Sequence, residues 1–506
     1  MGSKKSTAKS KADVIVSTNP ATGKPLGEVT ASSPDEVRDA VARAVEVQAE
    51  WGRVPPKERG HRMLALRKCL TDRCEEIAER ISNESGKTRF EAMSMEIVGL
   101  ADLIGYYGKR VHKVLESKRI PLHLLKHRRS YVHYVPRGVV GIISPWNFPF
   151  MIPFGEAIMA MLAGNAVIIK PSEITPLIAD LIPELVHQAG LPRDLVQIVH
   201  GRGDVGAALI DSGVHQICFT GSVATGRKVA VACGERLIPC TLELGGKAPA
   251  IVCSDADLER TAQALVWGAF ANSGQVCASV ERVYVDHVVH DALVGKVLRL
   301  TAKLRQGDPS SLDTDVGAIC FDRQLNVAQE LIEDATQAGA TIECGGQAIT
   351  DNGSQFFEPT VLTGVTQDMR CMREESFAPL MPIMPIRSEA EGIRLANDST
   401  LGLLAYVFTK DREKGRRIAN QIESGTVMVN DVLITYGAPE TPWMGVKDSG
   451  IGRVHSDAGL RDFCQARHVN HDHFITLPRE LWWYPYTEKA YNLTLRALRL
   501  FFGGRG

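Results

Sequence analysis

Gln216-Ile217-Cys218-Phe219-Thr220-Gly221-Ser222-Val223-Ala224-Thr225-Gly226 passes from a short apolar run, through a turn of small residues, into a helical segment expected over 226–233. The apolar run has strand length and ends in turn residues, which reads as a strand buried on both faces. The same strand-then-helix unit recurs upstream. Strands are expected over 139–144, 166–170 and 195–199, and helices over 153–163, 177–189 and 204–212. Repeated βαβ order with Val- and Ile-rich strands implies a parallel sheet with helices on both faces, hence an α/β fold of Rossmann type. A second α/β series is expected over about 248–430.

Outside these units, Asn19-Pro20-Ala21-Thr22-Gly23 reads as a turn between two short strands. Residues 33–115 show helical spacing, with Val37, Val41, Ala44 and Val45 on one face. Residues 130–140 alternate like a strand interrupted at Pro136. A chain of 506 residues exceeds one core, so two or three lobes are expected. The net charge of −1 gives no reason to expect a nucleic-acid partner. Eleven cysteines, an odd number with no CxxC pair, argue for reduced thiols in a cytoplasmic setting and against a metal centre. Residues 1–12 are small and basic and are expected to be disordered; Gly2 with Ser6 fits the loose myristoylation pattern.

Four stretches carry chemistry. In Gly274-Gln275-Val276-Cys277-Ala278 a thiol stands between a glycine-bearing loop and a β-rich run, where it can reach a cleft; an ordinary buried cysteine is the alternative. Lowering of its pKa would make the thiolate a strong nucleophile. Leu242-Glu243-Leu244-Gly245-Gly246-Lys247 holds a carboxylate between leucines, an environment that should raise its pKa toward that of a base working near neutrality. Ser144-Pro145-Trp146-Asn147-Phe148-Pro149 leaves an Asn amide to donate to a developing oxyanion, or to cap a helix. Lys170-Pro171-Ser172-Glu173 ends a strand on the edge where open α/β sheets bind ligands. The turn at Gly221 is neither GxGxxG nor a P-loop, because Arg227 and Lys228 follow Gly226 where that loop needs Lys then Ser or Thr.

With these segments in order, joined by EESFAP and by SGTVMVND before GVKDSGIGR, the chain resembles the aldehyde dehydrogenase superfamily from about 16 to 470. The resemblance implies Cys277 as nucleophile, Asn147 with the Cys277 backbone N–H as oxyanion donors, and Glu243 as general base. It implies Lys170 and Glu173 at an adenosine ribose, Gly221, Ser222 and Gly226 over a pyrophosphate, Glu375 and Phe377 beside the nicotinamide ribose, and Trp146 as a further cofactor-binding residue. The implied reaction is NAD(P)-dependent oxidation of a small-molecule aldehyde to an acid, with NAD favoured over NADP because a Glu at 173 repels a 2′-phosphate. Implied domains are 13–120 with 139–246 (nucleotide-binding), 247–455 (catalytic), 121–138 with 465–485 (an oligomerisation arm of a homodimer or homotetramer), and 486–506 (an amphipathic helix).

Two departures from the family bear on substrate. Pro442-Trp443-Met444-Gly445 carries Met in place of a glycine, which is expected to alter the wall near the substrate tunnel. The tail, Trp482-Trp483-Tyr484-Pro485-Tyr486 and a helix over 487–502, fits three readings: docking on the protein, a lid, or a peripheral membrane contact. Its likeness to the fatty-aldehyde class tilts the expected substrate toward apolar aldehydes. A succinic semialdehyde dehydrogenase, a CoA-acylating relative and a catalytically silent binding subunit are the rivals.

Overall fold

The computed structural model describes residues 13–476, 478–480 and 482–503. The tail over 1–12, with the Gly2 and Ser6 pattern, lies outside the described residues, as do Leu481 and residues 504–506. The chain forms two compact units, one running to Leu115 and resuming over Val135–Gln465, the other made of Glu116–Tyr134 and the residues from Ala466 onward.

The larger unit holds two main sheets. The first orders its strands Gly450–Ile451, Cys240–Glu243, Gln216–Thr220, Val139–Ile143, Ala166–Lys170 and Val196–Ile198. All neighbours are parallel except Gly450–Ile451, which runs against Cys240–Glu243. Ala166–Lys170 is buried at every position, which explains its unbroken apolar reading up to the terminal lysine. The helix Met151–Ala163 that follows Val139–Ile143 is buried all round as well, matching a sequence without a polar stripe. The second sheet orders Thr341–Cys344, Thr360–Thr363, Leu380–Ile386, Val280–Asp286, Ala248–Val252, Leu404–Phe408 and Thr426–Val429. It is parallel apart from its Thr341–Cys344 edge.

Several local expectations shift for physical reasons. The helix expected over 226–233 spans Val223–Glu235, because the Ser222 side chain accepts from the Thr225 N–H and caps it three residues early. The segment expected as one helix over 177–189 splits into the 3-10 turn Ile178–Asp180 and the helix Leu181–Gln188. The expected strand over 130–140 is two strands, Arg128–Pro136 and Val139–Ile143. In Pro34–Trp51 the buried face is Val37, Ala40, Val41 and Ala44, whereas Val45 is exposed; Ala40 and Ala44, one turn apart, complete the stripe that Val45 flanks. All eleven cysteines are free thiols.

The smaller unit carries the three-stranded sheet ordered Cys464–Asp472, Arg128–Pro136, Lys118–Ile120, and the helix Glu488–Phe502. Within it Arg128 pairs with Asp472 at 2.9 Å, and the Asn470 amide donates to Ser130 at 2.7 Å. Among the described residues no helix is long and apolar enough to cross a membrane.

Candidate active site

Val139–Ile143 lies between Gln216–Thr220 and Ala166–Lys170, so three parallel strands end side by side. A cleft of about 1000 Å³ opens beyond those ends. That is where open α/β sheets place their ligands, since loops diverge there and helix N-termini converge. Ten of the eleven residues singled out from sequence line it: Trp146, Asn147, Lys170, Glu173, Gly221, Ser222, Glu243, Cys277, Glu375 and Phe377. Gly226 does not. It lies inside the capped helix, and a Cβ there would stand 2.5 Å from the Leu244 side chain, so its small size serves helix-to-strand packing.

The segment before Cys277 has an unusual backbone. Asn272, Ser273 and Gly274 have φ of 49°, 55° and 74°, a left-handed run that costs of order 1–3 kcal/mol at each non-glycine position. Buried polar partners hold it. The Asn272 N–H donates to Glu91 Oε1 at 2.7 Å, and its side-chain amide donates to the backbone oxygens of Asn147 and Gln275, both at 3.1 Å. The Gln275 amide donates to Asn272 O at 2.9 Å and accepts from the Cys320 N–H at 2.8 Å. The Asn147 side-chain amide donates to Gln275 O at 2.9 Å, which ties the two loops together and leaves its second N–H unused. A Cβ on Gly246 would stand 2.0 Å from the Cys277 carbonyl oxygen, so only glycine lets the Glu243 loop pass this close.

Two buried ion pairs support the walls. Lys87, in contact with Glu96, donates to Asn147 O at 3.0 Å and sits over the Phe148 ring. Glu96, on a π-helical turn spanning Ala92–Ile97, accepts from the N–H groups of Phe150 and Met151 at 3.0 and 2.9 Å. Lys247 pairs with Glu281 at 2.8 Å, and Glu281 accepts from the N–H groups of Ser376 and Phe377, both at 3.0 Å. Glu375 accepts from the Gly246 N–H at 2.8 Å, and Phe377 meets Trp146 edge-on at 5.4 Å. Neither pair stands out from sequence: Lys247 closes the Glu243 stretch without announcing Glu281 34 positions on, and Lys87 and Glu96 carry no motif.

The electrostatics of the site are governed by burial and by neighbouring carboxyls. Burial pushes the Cys277 thiol up to about 12, with Glu375 and Glu243 adding repulsion and the N–H groups of Cys277 and Ala278 opposing it. The lowering that would make this thiol a strong nucleophile is thus opposed by two carboxyls, Glu375 and Glu243, that disfavour the thiolate. Burial pushes the Glu243 carboxyl well above 4.5, with Glu156 adding to the rise, as its leucine-flanked setting implies. The Trp443 indole pulls the other way but does not reach hydrogen-bond geometry, and both Glu243 oxygens lack a partner. Burial and the nearby Glu281 raise Glu375 to about 8.

Beside Cys277 and Glu243, which also line the cleft, lies a smaller space of about 20 Å³ walled by Ile152, Thr220, Leu244, Leu403, Tyr436 and Trp443. The substitution noted at Met444 does not touch it. Trp443 forms the wall, fixed by backbone pairing with Val454 and by edge-on packing on Tyr436 at 4.9 Å.

The cleft fits a dinucleotide. Ser222 caps the helix Val223–Glu235 at its mouth, where N–H groups attract phosphate. Lys170 donates to Pro171 O at 2.5 Å and Gly201 O at 2.8 Å and lies 3.7 Å from Glu173, so one of its three donors is left for a hydroxyl. Burial lowers the Lys170 pKa, and Glu173 opposes the shift.

The sequence pattern of the Aldehyde dehydrogenase family matches residues 7–469. The chain is 39% identical over 483 residues to a 4,4'-diapolycopene aldehyde oxidase of Methylomonas, covering 94% of this chain and 89% of that protein. It is 36% identical to a putative NADP(+) succinate-semialdehyde dehydrogenase of Mycolicibacterium smegmatis, with 94% and 93% covered. Among solved structures, an NAD-dependent aldehyde dehydrogenase from Sinorhizobium meliloti superposes with a TM-score of 0.89 at 33% identity, over 94% of this chain and 93% of that one. A putative aldehyde dehydrogenase from Anabaena variabilis gives 0.88 at 32% identity, over 94% and 100%.

Proposed function

Because the chain belongs to the aldehyde dehydrogenase family and is an NAD(P)-dependent oxidoreductase of aldehydes, we propose that Cys277 is its nucleophile, Asn147 its oxyanion donor and Glu243 its base. One observation carries this reading: three residues remote in sequence line one cleft, and the loops bearing Asn147 and Cys277 are tied to each other. The Cys277 sulfur bonds to the aldehyde carbon, the carbonyl π pair moves onto oxygen, and the thiol proton passes to the Glu243 carboxylate. The free N–H of Asn147 and the backbone N–H of Cys277 stabilise the oxyanion. NAD(P), when bound, supplies the two-electron acceptor for the hydride that leaves that carbon. After Glu243 has passed the thiol proton to solvent, water attacks the thioester on Cys277, Glu243 accepts a proton from that water and returns it to the departing sulfur, and the acid leaves as the thiol re-forms.

Lys170 and Glu173 would hold the adenosine ribose, Gly221 and Ser222 the pyrophosphate, and Trp146, Glu375 and Phe377 the nicotinamide end. Glu173 favours NAD, since its carboxylate repels a 2′-phosphate. Incubating Glu243→Gln with aldehyde and NAD should leave an acyl group on Cys277, read by intact mass and peptide mapping. Turnover without any adduct on Cys277 overturns the assignment.

For the substrate we infer an apolar aliphatic or aromatic aldehyde. Apart from Thr220, Glu243 and Cys277, the narrow space is walled by aliphatic and aromatic side chains, and its lining has no Lys or Arg to pair with a distal carboxylate. The relative named for diapolycopene aldehyde agrees; the relative named for succinate semialdehyde supplies the rival. A panel running from succinic semialdehyde through benzaldehyde to dodecanal decides between them, with kcat/KM expected to favour the apolar members by about tenfold or more. The three-stranded sheet is the proposed arm of a homodimer or homotetramer, checked by light scattering of the full chain.

A further inference from the structure

The helix Glu488–Phe502 has no buried residue. At about 100° per residue its polar side chains, Glu488, Lys489, Asn492, Arg496 and Arg499, fall within one arc of about 100°. Apolar side chains fill about 220° of the remainder. Two hydroxyls lie among them: Thr494 is satisfied inside the helix by donating to Ala490 O at 2.9 Å, and Tyr491 carries a phenol whose polar edge suits an interface. Leu500 is 79% exposed and Phe501 67%, on positions where a surface helix would ordinarily pack. Ahead of the helix, Trp482, Trp483, Tyr484 and Tyr486 are exposed as well.

We propose that this segment seats on the surface of an anionic lipid bilayer. A partner helix or protein face covers an apolar stripe of roughly 100° and would leave most of this circumference wet. The boundary between headgroups and acyl chains covers a wide arc and solvates the narrow polar one. The polar arc matches that seat, because three cations stand against one carboxylate. Indole and phenol rings with a polar edge settle at the same depth, so the Trp482–Tyr486 stretch supplies a second signal beside the helix. Fifteen helical residues span about 22 Å, short of the roughly 30 Å hydrocarbon core, so the segment lies along the surface. Thr487 accepts from the Ala490 N–H at 3.2 Å and caps the helix from within the same segment.

The test floats the full chain with vesicles of equimolar phosphatidylcholine and phosphatidylglycerol, with pure phosphatidylcholine vesicles as comparison. The chain is expected to float with the anionic vesicles, at least about tenfold less with the neutral ones, and less in either case as salt is raised. Leu498→Glu with Phe501→Glu, and separately Arg496→Glu with Arg499→Glu, should each weaken flotation by about tenfold or more while kcat/KM for a small soluble aldehyde is retained. No flotation of the wild-type chain overturns the proposal, as does equal, salt-insensitive flotation with both vesicles. Loss of a larger oligomer in the Leu498 and Phe501 variant, without any vesicle binding by the wild type, would assign the face to a second copy of the chain instead. These readouts are independent of the roles proposed for Cys277, Glu243 and Asn147.

Discussion

The two sides of Cys277 are built differently. On one side a cleft of about 1000 Å³ is edged by strand ends, a helix N-terminus and the Lys170–Glu173 pair. Next to it, about 20 Å³ is left between Tyr436, Trp443, Thr220 and aliphatic side chains. The wide side lies where three parallel strands end, so sheet register fixes its position. The narrow side is made of side chains, which can be exchanged without disturbing the sheet. Cofactor use should therefore be insensitive to changes that reshape aldehyde choice, and the reverse.

The most damaging substitution is at the shared wall. Cys277→Ala should lower kcat by at least about 10³-fold while NAD binding, followed by fluorescence quenching, stays within about threefold. If cofactor affinity collapsed together with turnover, the two sides would not be separable as argued.

Glu243→Gln comes next, with kcat reduced by about 10²–10³-fold. Its pH dependence sharpens the point. Burial raises the Glu243 pKa, so the carboxyl stays protonated where an exposed Glu is already ionised, and the base form grows as pH rises. Wild-type kcat should climb from acid toward neutral pH, and the Gln variant should lose that limb. A limb that survives the substitution would assign the titration to another group, with Glu156, raised to about 8 by burial, the first to examine.

How far this was readable beforehand differs between the same two sides. The parallel strands, their order in the chain and the residues at their carboxyl ends follow from apolar runs and turn residues, because buried parallel strands leave a continuous signal. Cys277, Glu243 and Asn147 stood out by their loop settings and by the family resemblance. The supports did not. Lys87 reaches Asn147 O across 60 positions and Glu91 reaches Asn272 across 181, and no local pattern announces a polar contact made by the tertiary fold. For a related reason no local pattern announces the direction of the Cys277 pKa: the carboxyls that raise it lie at 243 and 375 in sequence. On the narrow side Trp443 was passed over for Met444, since the departure from the family drew notice to the wrong neighbour.

Trp443→Ala tests the narrow side alone. Removing the indole should raise kcat/KM for bulky aldehydes by about tenfold relative to acetaldehyde, without changing the KM for NAD. Equal changes for all aldehydes would mean that the indole acts on Glu243 rather than on substrate size.

Glu173→Gln tests the wide side and should have the smallest effect. Glu173 is half-buried and paired with Lys170 at 3.7 Å, so its charge is partly compensated and partly screened. Removing that charge takes away repulsion toward a 2′-phosphate and leaves the amide able to bond a hydroxyl. The NADP-to-NAD ratio of kcat/KM should rise by about fivefold, equivalent to roughly 1 kcal/mol, with the aldehyde profile unchanged. A ratio that stays fixed would place cofactor choice elsewhere along the cleft, with Lys228, another residue of its lining, as the next charge to remove. A shift in aldehyde preference at Glu173 would be the more serious result, since it would couple the two sides that the architecture around Cys277 keeps apart.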